Sequence, residues 1–490
     1  MADRLFLAVD IGTSSLKACV FDSPGNLLAT AKREYPTHSP KAGYAEQDPE
    51  EIFASLLSAL KELTSSFPGS TFEALAFDAM LHSFLLVDEK GTPLAPLWNW
   101  MDTRSFQEVE EFRKTYEEEN LYAFTASPLH TIYHPPRVLW FKKHLPWLWS
   151  KASKILSIKD WILWRLTGEL FCDYSTASGT GLLELERKAW SETICKLLEI
   201  SPLLLPSLCE PDFSLPLRNE DFAREVGLPL GIPVVWGGGD GPFANLGEGC
   251  FREREMVVSV GSSGAVRMCA HRPVFDPKRQ SWCYYLASDI WVGGGAINNG
   301  GIVFSWMRDL VKGDEITLDP FRRHPLFLPF LTGERSPYWD PYARGILFGL
   351  SFFHTPEEFL QAAYEGVAFS VRALFEMLRR VMGDPKRVVI GGGFALSRTG
   401  RRVLCDVLGV EVAVSTYPSS SAKGAFLVAL KALGGISSFD DLPPDFFPVE
   451  EVLFPEREAS SFYERLFHLW EKLYEANAPL FREFIRFGLA

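Results

Sequence analysis

The chain opens on a continuous apolar run, residues 5–9, that stops at Asp10 and runs into Ile11-Gly12-Thr13-Ser14-Ser15-Leu16-Lys17. An apolar run of that length bounded by turn residues predicts a buried strand ending in a hairpin. Further strands are expected over 19–22 and 27–34. A helix is expected over 49–65, opened by Asp48 with Pro49 at its first helical position. Buried strands are predicted at 74–77 and 84–87, a polar helical stretch at 102–119, and a helix at 161–166. The first half closes on Val234-Val235-Trp236, a glycine-rich turn Gly237 to Gly241, and a helix. The second half repeats this logic. Strand 256–260 ends in Gly261-Ser262-Ser263-Gly264, followed by strands 264–269 and 289–293, helices 301–311 and 356–382, strand 387–390, a glycine turn, and helices 398–408 and 421–433. Residues 440–456, rich in proline, read as a surface connector before a terminal aromatic helix. Two strand-and-hairpin openings in one chain predict a duplicated α/β fold, with domains at 1–247 and 248–490.

Composition narrows the class without changing that picture. The 490 residues, 47% of them apolar, exceed what one hydrophobic core usually supports and suffice for two. The net charge is −13, with no long run of Lys and Arg, so neither nucleic acid nor a membrane is an expected partner. The eight cysteines form no C-x-x-C pair, which signals neither a zinc site nor a disulfide framework. The N-terminal apolar run is too short for a signal peptide, and no long apolar stretch follows, so a cytoplasmic protein is expected.

The candidate chemistry lies where strands end. Gly12 permits a tight turn and close ligand approach, while Thr13, Ser14 and the turn amides offer donors to phosphate oxygens; Asp10 is suited to a hydrated magnesium ion. Asp240, after three glycines, fits either a helix N-cap or a general base that takes a proton from a hydroxyl attacking a phosphate. Gly391-Gly392-Gly393 would let a flat ligand lie close to the backbone, and Gly293 to Gly301 opens a helix whose first amides are free for an anion. Leu81-His82-Ser83 and Trp100-Met101-Asp102-Thr103-Arg104 form a polar cluster in the first half. G-x-G-x-x-G, G-x-x-x-x-G-K-[ST], G-x-S-x-G and H-E-x-x-H are all absent, which disfavours Rossmann, Walker, serine hydrolase and zinc protease readings.

Taken together these motifs resemble the FGGY family of carbohydrate kinases, from Leu5 to about Gly434. The family's D-x-G-T-[ST]-S is matched by Asp10 to Ser15, A-E-Q-[DN]-P by Ala45 to Pro49, and W-x-D-x-R by Trp100, Asp102 and Arg104. G-x-x-D-G is matched by Gly237 to Gly241, and T-x-G-T-S-G-A by Ser259 to Ala265. Asn298 to Val303 and Gly333-Glu334-Arg335-Ser336-Pro337 are similar to segments of the gluconate-phosphorylating members. The departures are Leu81 where a Met is frequent, Ser259 and Ser262 in place of threonines, Arg137 in place of a Lys, and a short 312–327 segment.

The resemblance implies two actin-like, ribonuclease-H-type domains with a cleft between them. It implies Asp240 as catalytic base, and an ATP site built from Gly12, Thr13, Ser14, Lys17, Gly261, Ser262, Gly301, Ser305, Gly392, Gly393 and Ser397. Leu81, His82, Trp100, Asp102, Asn298 and Asp240 would face a sugar acid, and Asp10 and Asp240 would lie near Mg2+. The implied reaction is transfer of the γ-phosphoryl of Mg-ATP to the 6-hydroxyl of D-gluconate. Another polyol or ketose acceptor (xylulose, glycerol, ribulose), a non-catalytic actin-like ATP sensor, and a homodimer stay open. A carboxylate substrate asks for a cationic or amide-rich pocket; Asn298, Asn299 and His82 are candidates, and no decisive Lys or Arg stands out.

Overall fold

A computed structural model describes residues 4–115, 118–313, 316 and 319–487. The chain builds two mixed sheets of matching design. In the first, β1 (Arg4–Ile11), β2 (Ser15–Asp22) and β3 (Leu27–Glu34) form an antiparallel meander. Helix α1 (Pro49–Ser66) then crosses over to β4 (Thr71–Ala79), parallel to β1. The short β5 (Ser214–Pro216) pairs antiparallel with β6 (Pro233–Gly239), itself parallel to β4, giving the order β5-β6-β4-β1-β2-β3. Helix α2 (Asp240–Gly247) follows directly.

The second sheet repeats the plan. A hairpin of β7 (Glu255–Val260) and β8 (Gly264–Ala270) is joined by β9 (Trp282–Ala287) and β10 (Ile290–Ile297). After α3 (Gly301–Val311) and α4 (Pro356–Met382) comes β11 (Arg387–Gly391), parallel to β7; then α5 (Arg398–Leu408), β12 (Val412–Val414) and α6 (Ser420–Ala432). β13 (Glu451–Leu453) closes the edge before α7 (Arg457–Arg486), and the order is β9-β10-β8-β7-β11-β12-β13. In each sheet the hairpin, then the parallel strands, put the ends of the first strand and its parallel neighbour side by side.

Alternation along β1 explains the layering, because successive side chains leave a strand on opposite faces. Leu5, Leu7, Val9 and Ile11 join a core with Ile52, Leu56 and Leu60 of α1, whereas Phe6 and Ala8 join one with Phe243 of α2 and Phe426 of α6. Phe426 packs between Phe6 and Phe21, with ring centroids 5.2 and 4.9 Å away. That middle core holds residues of both sheets together and ties α6, late in the chain, to the first sheet. Helices α2 and α6 cross there almost backbone to backbone. A Cβ on Gly247 would lie 1.8 Å from the Ser420 carbonyl oxygen, and one on Gly424 would lie 2.3 Å from that of Phe243, so both positions require glycine.

Several sequence expectations need correction. The helical stretch at 102–119 is two helices, Phe106–Thr115 and Glu118–Thr125, and residues 116–117 lie outside those described. Strand β9 was not predicted, since its run Trp282-Cys283-Tyr284-Tyr285-Leu286-Ala287 is buried on both faces and shows no alternation. The connector at 440–456 is not only surface: β13 pairs with β12, and Phe439 and Leu442 are buried in the middle core. Of the short 312–327 segment, residues 314, 315, 317 and 318 lie outside those described. All eight cysteines are buried and free. Among the described residues no helix is long and apolar enough to cross a membrane.

Candidate active site

Three carboxylates stand on neighbouring strands. Asp10 near the end of β1 pairs in register with Asp78 of β4, and Gly238 of β6 pairs with Asp78 on its other side, so Asp240 follows two residues beyond. Asp240 is the first residue of α2, and the N-cap position belongs to Gly239, so the side chain of Asp240 is not spent on capping. Its Oδ1 accepts from the Gly241 amide at 2.8 Å and the Leu81 amide at 3.4 Å. Burial, with the Asp10 charge second, pushes its carboxyl up to about 6, which suits a group that takes up a proton near neutrality.

Asp10 accepts at Oδ2 from the Ser421 hydroxyl of α6 at 2.8 Å, a contact that the α2–α6 crossing makes available. Burial raises its carboxyl against that donor and the charge of Lys17. Asp78 is fully enclosed, and its carboxyl finds no partner other than the neighbouring carboxyl of Asp10. Burial, then the Asp10 and Asp240 charges, drive it well above the ordinary carboxylate range. Carboxylate oxygens of this kind suit a hard divalent cation such as Mg2+, whose ligands are oxygens.

A cavity of about 320 Å³ opens beside Asp240, which of the three carboxylates is the one that lines it. Of the expected site residues it is lined by Thr13, Leu81, His82, Trp100, Asp240 and Gly261. The two hairpin turns therefore meet across it. Thr13 Oγ1 accepts from Trp100 Nε1 at 2.8 Å, and the Thr13 carbonyl accepts from Gln47 Nε2 at 2.7 Å, which fastens the first hairpin to the Trp100 segment. His82 has φ of 64°, the left-handed region that costs a non-glycine residue free energy and often marks a functional position. Its Nδ1 donates to the Gly179 carbonyl at 2.6 Å, leaving Nε2 as acceptor toward the Tyr284 hydroxyl at 3.5 Å. Burial holds the ring neutral, with its pKa lowered to about 3, and the Arg137 and Arg335 charges add to this.

The other expected residues do not line the cavity. The Gly301 amide donates to the Gly261 carbonyl at 2.7 Å and that of Gly300 to the Ser262 carbonyl at 3.1 Å, which docks the start of α3, carrying Ser305, on the second hairpin. Gly392 and Gly393 end β11 beside β7, and Ser397 caps α5 through the Gly400 amide. Gly12 and Ser14 complete the first hairpin, and Lys17 Nζ donates to the Pro418 carbonyl at 2.9 Å. Asp102 does not line the cavity. It is fully buried, with both oxygens taken by Arg104 and the Ala45 amide. Asn298 also stands back, its amide donating to Glu334.

Sequence reasoning missed Asp78, Arg267, Tyr284 and Trp339, and gave Arg335 no role. Asp78 ends an apolar strand as Asp10 does, and Arg267 is the lone charge in β8; both signals were visible. Arg267 lies beside Asp240, its Nε donating to Asn245 Oδ1 and one terminal nitrogen to Ser259 Oγ, each at 2.9 Å. Tyr284 and Trp339 come from segments that only the fold brings here.

A base-competent carboxylate, two small-residue hairpins and a fixed guanidinium around one cavity can perform phosphoryl transfer to a hydroxyl. Known proteins agree. Residues 5–247 match the N-terminal domain of the FGGY family of carbohydrate kinases, and residues 256–433 its C-terminal domain. A gluconokinase of Bacillus subtilis is 34% identical over 454 residues, covering 89% of this chain and 88% of that protein. The gluconate kinase of Lactobacillus acidophilus superposes with a TM-score of 0.94 at 27% identity, over 99% of this chain and 100% of that one. The xylulose kinase of the same species also gives 0.94 at 27%, over 98% and 100%. The chain belongs to the FGGY family of carbohydrate kinases, enzymes that phosphorylate a sugar hydroxyl with ATP.

Proposed function

We propose that this kinase phosphorylates the 6-hydroxyl of D-gluconate, with Asp240 as general base. The single observation that carries the substrate reading is the cationic lining of the cavity. Arg267 and Arg335 both border it; Asp240 stands beside the first and Glu334 beside the second, but neither carboxylate closes a direct hydrogen-bonded ion pair with its arginine side chain. Such a lining favours an anionic acceptor over a neutral polyol. The likeness to the gluconokinase of Bacillus subtilis supports the same substrate.

In this reading residues 1–247 hold the sugar and 248–490 hold ATP. The Asp240 oxygen not engaged by backbone amides takes the hydroxyl proton as the oxygen attacks the γ-phosphorus. Amides of residues 13–14 and 262–263, with the Thr13 and Ser262 side chains, hold phosphate oxygens, while the Gly12 and Gly261 amides close the hairpins; Gly301, Ser305, Gly392, Gly393 and Ser397 border the nucleotide. Arg267 stabilises the charge that spreads over the transferring group. Asp10 and Asp240, with Asp78 on the strand between them, would hold Mg2+, which when bound neutralises phosphate charge. Neutral His82 presents Nε2, and Trp100 a ring face, to the sugar; Asp102 acts at one remove, by orienting Arg104.

The test is a coupled ADP-release assay with D-gluconate, xylulose, glycerol and ribulose, on wild type and Asp240→Asn. Gluconate-dependent turnover that disappears in the variant supports the reading. Turnover with xylulose instead overturns the substrate while keeping the base; that second reading is favoured by the equal likeness to the xylulose kinase structure.

A further inference from the structure

The two guanidinium groups of the cavity sit in different surroundings, and that difference has a consequence for recognition. Arg267 is spoken for: its contacts to Asn245 and Ser259 hold it beside Asp240 and Gly241, at the end where the phosphoryl group moves. Arg335 lies at the aromatic end. Its guanidinium carbon is 4.8 Å from the centroid of the Trp100 ring, and its charge is felt by His82, His130, Tyr133 and Tyr284.

The hydrogen bonding of Arg335 is incomplete. One terminal nitrogen donates to the Ile297 carbonyl at 3.0 Å, whereas Nε is enclosed and has no partner. The neighbouring acid does not supply one. Glu334 accepts instead from the backbone amides of Asn298 and Arg335 and from Asn299 Nδ2. A guanidinium with an enclosed, unpaired N–H, whose one acidic neighbour is engaged by other donors, is unfavourable until an anion reaches it, and its planar fork matches a carboxylate.

We infer that Arg335 receives the carboxylate of the sugar acid, stacked over Trp100, while Asp240 holds the hydroxyl at the other terminus. This rests on the gluconate reading. It also assigns the ends of the substrate: in an extended acid whose terminal hydroxyl meets Asp240, the carboxylate lies at the aromatic end, away from Arg267.

The experiment is steady-state kinetics of wild type, Arg335→Gln and Arg335→Lys with D-gluconate and Mg-ATP, each protein checked for a cooperative thermal unfolding transition. For Arg335→Gln the KM for gluconate is expected to rise by about 30-fold or more, with a smaller change in kcat and with KM for ATP within about threefold of wild type. Arg335→Lys, which keeps charge but not the fork, should give an intermediate KM, and it carries the test by the same criterion if the Gln variant does not fold. A gluconate KM within about threefold of wild type in the folded variants, or a loss spread equally over kcat and both KM values as a structural role would produce, overturns the assignment while the substrate reading stands. A wild-type enzyme inert toward gluconate and active on a neutral sugar overturns both.

Discussion

Asp78 stands beside Asp10 in the parallel register of β1 and β4, fully buried and with no partner for its carboxyl other than that of Asp10. The first sheet thus places an unsatisfied carboxyl next to one that is satisfied from across the cleft by Ser421. Removing the carboxyl of Asp78 should relieve a desolvation cost. Asp78→Ser is expected to lose at most about 1 kcal/mol of stability, while the Mg2+ concentration for half-maximal activity rises several-fold. Differential scanning fluorimetry with a Mg2+ titration of turnover reads both; a large loss of stability with unchanged Mg2+ dependence would sink the idea.

Asp240→Asn keeps the volume and the capacity to accept from the Leu81 and Gly241 amides, but cannot take up a proton. A fall in kcat of about 10²–10⁴-fold with KM for ATP little changed is expected. Comparable losses in both parameters would point to a disrupted nucleotide site instead.

Arg267→Met removes the guanidinium beside Asp240 and leaves the buried Asn245 acceptor without its donor. Turnover should fall by about 10²–10³-fold with whichever acceptor the enzyme uses, because the lost interaction is to the moving phosphoryl group. If the loss were confined to the KM of an acidic acceptor, Arg267 would be the carboxylate anchor and Arg335 would not.

Gly247→Ala drives a methyl group into the Ser420 carbonyl, 1.8 Å from an ideal Cβ. The helices must separate. Destabilisation of about 3 kcal/mol or more is expected, together with lost activity, because the same crossing brings Ser421 to Asp10. Chemical denaturation of the variant measures the first effect, and wild-type stability would refute it.

His82 and His130 are buried with pKa values lowered to about 3, below the 6.5 of an unperturbed imidazole. The folded state therefore binds fewer protons than the unfolded state between these values, and stability is fully present above pH 6.5 and falls as pH drops below it. Asp160 and Asp240, whose carboxyls are raised to about 6, work in the opposite sense over the same range, so the histidine share is read by difference: between pH 7 and pH 5 the unfolding midpoint of His130→Gln should fall less, or rise more, than that of wild type. An identical slope in that variant would assign the acid sensitivity to other groups.

Much of this protein was legible before any coordinates. Apolar runs ended by turn residues located β1, β7 and β11, and α3, α4 and α5 were predicted over 301–311, 356–382 and 398–408, the spans they occupy. Capping residues and helical periodicity are local properties, so the chain carries them openly. The repeated strand-and-hairpin opening likewise announced two similar sheets. Strand β9 escaped because a strand covered on both faces has no alternation, and β13 because three residues amid prolines acquire strand character only by pairing with β12.

The site divides along the same line. Asp10, the hairpin residues, His82, Trp100 and Asp240 could be named from sequence because each sits in a motif of neighbouring residues whose types already suggest the chemistry. Asp78, Arg267 and Arg335 could not be weighed, because a charged residue in an apolar strand or a polar turn has meaning only through what faces it. Sequence by itself determined the elements, the duplication and the groups able to do chemistry. Tertiary structure alone decided that α6 crosses α2 to put Ser421 on Asp10, and that Arg335 lies over Trp100 with an unpaired nitrogen. The physical reason is range: propensity, capping and periodicity act within a few residues, whereas burial, charge pairing and cavity shape arise between segments hundreds of residues apart.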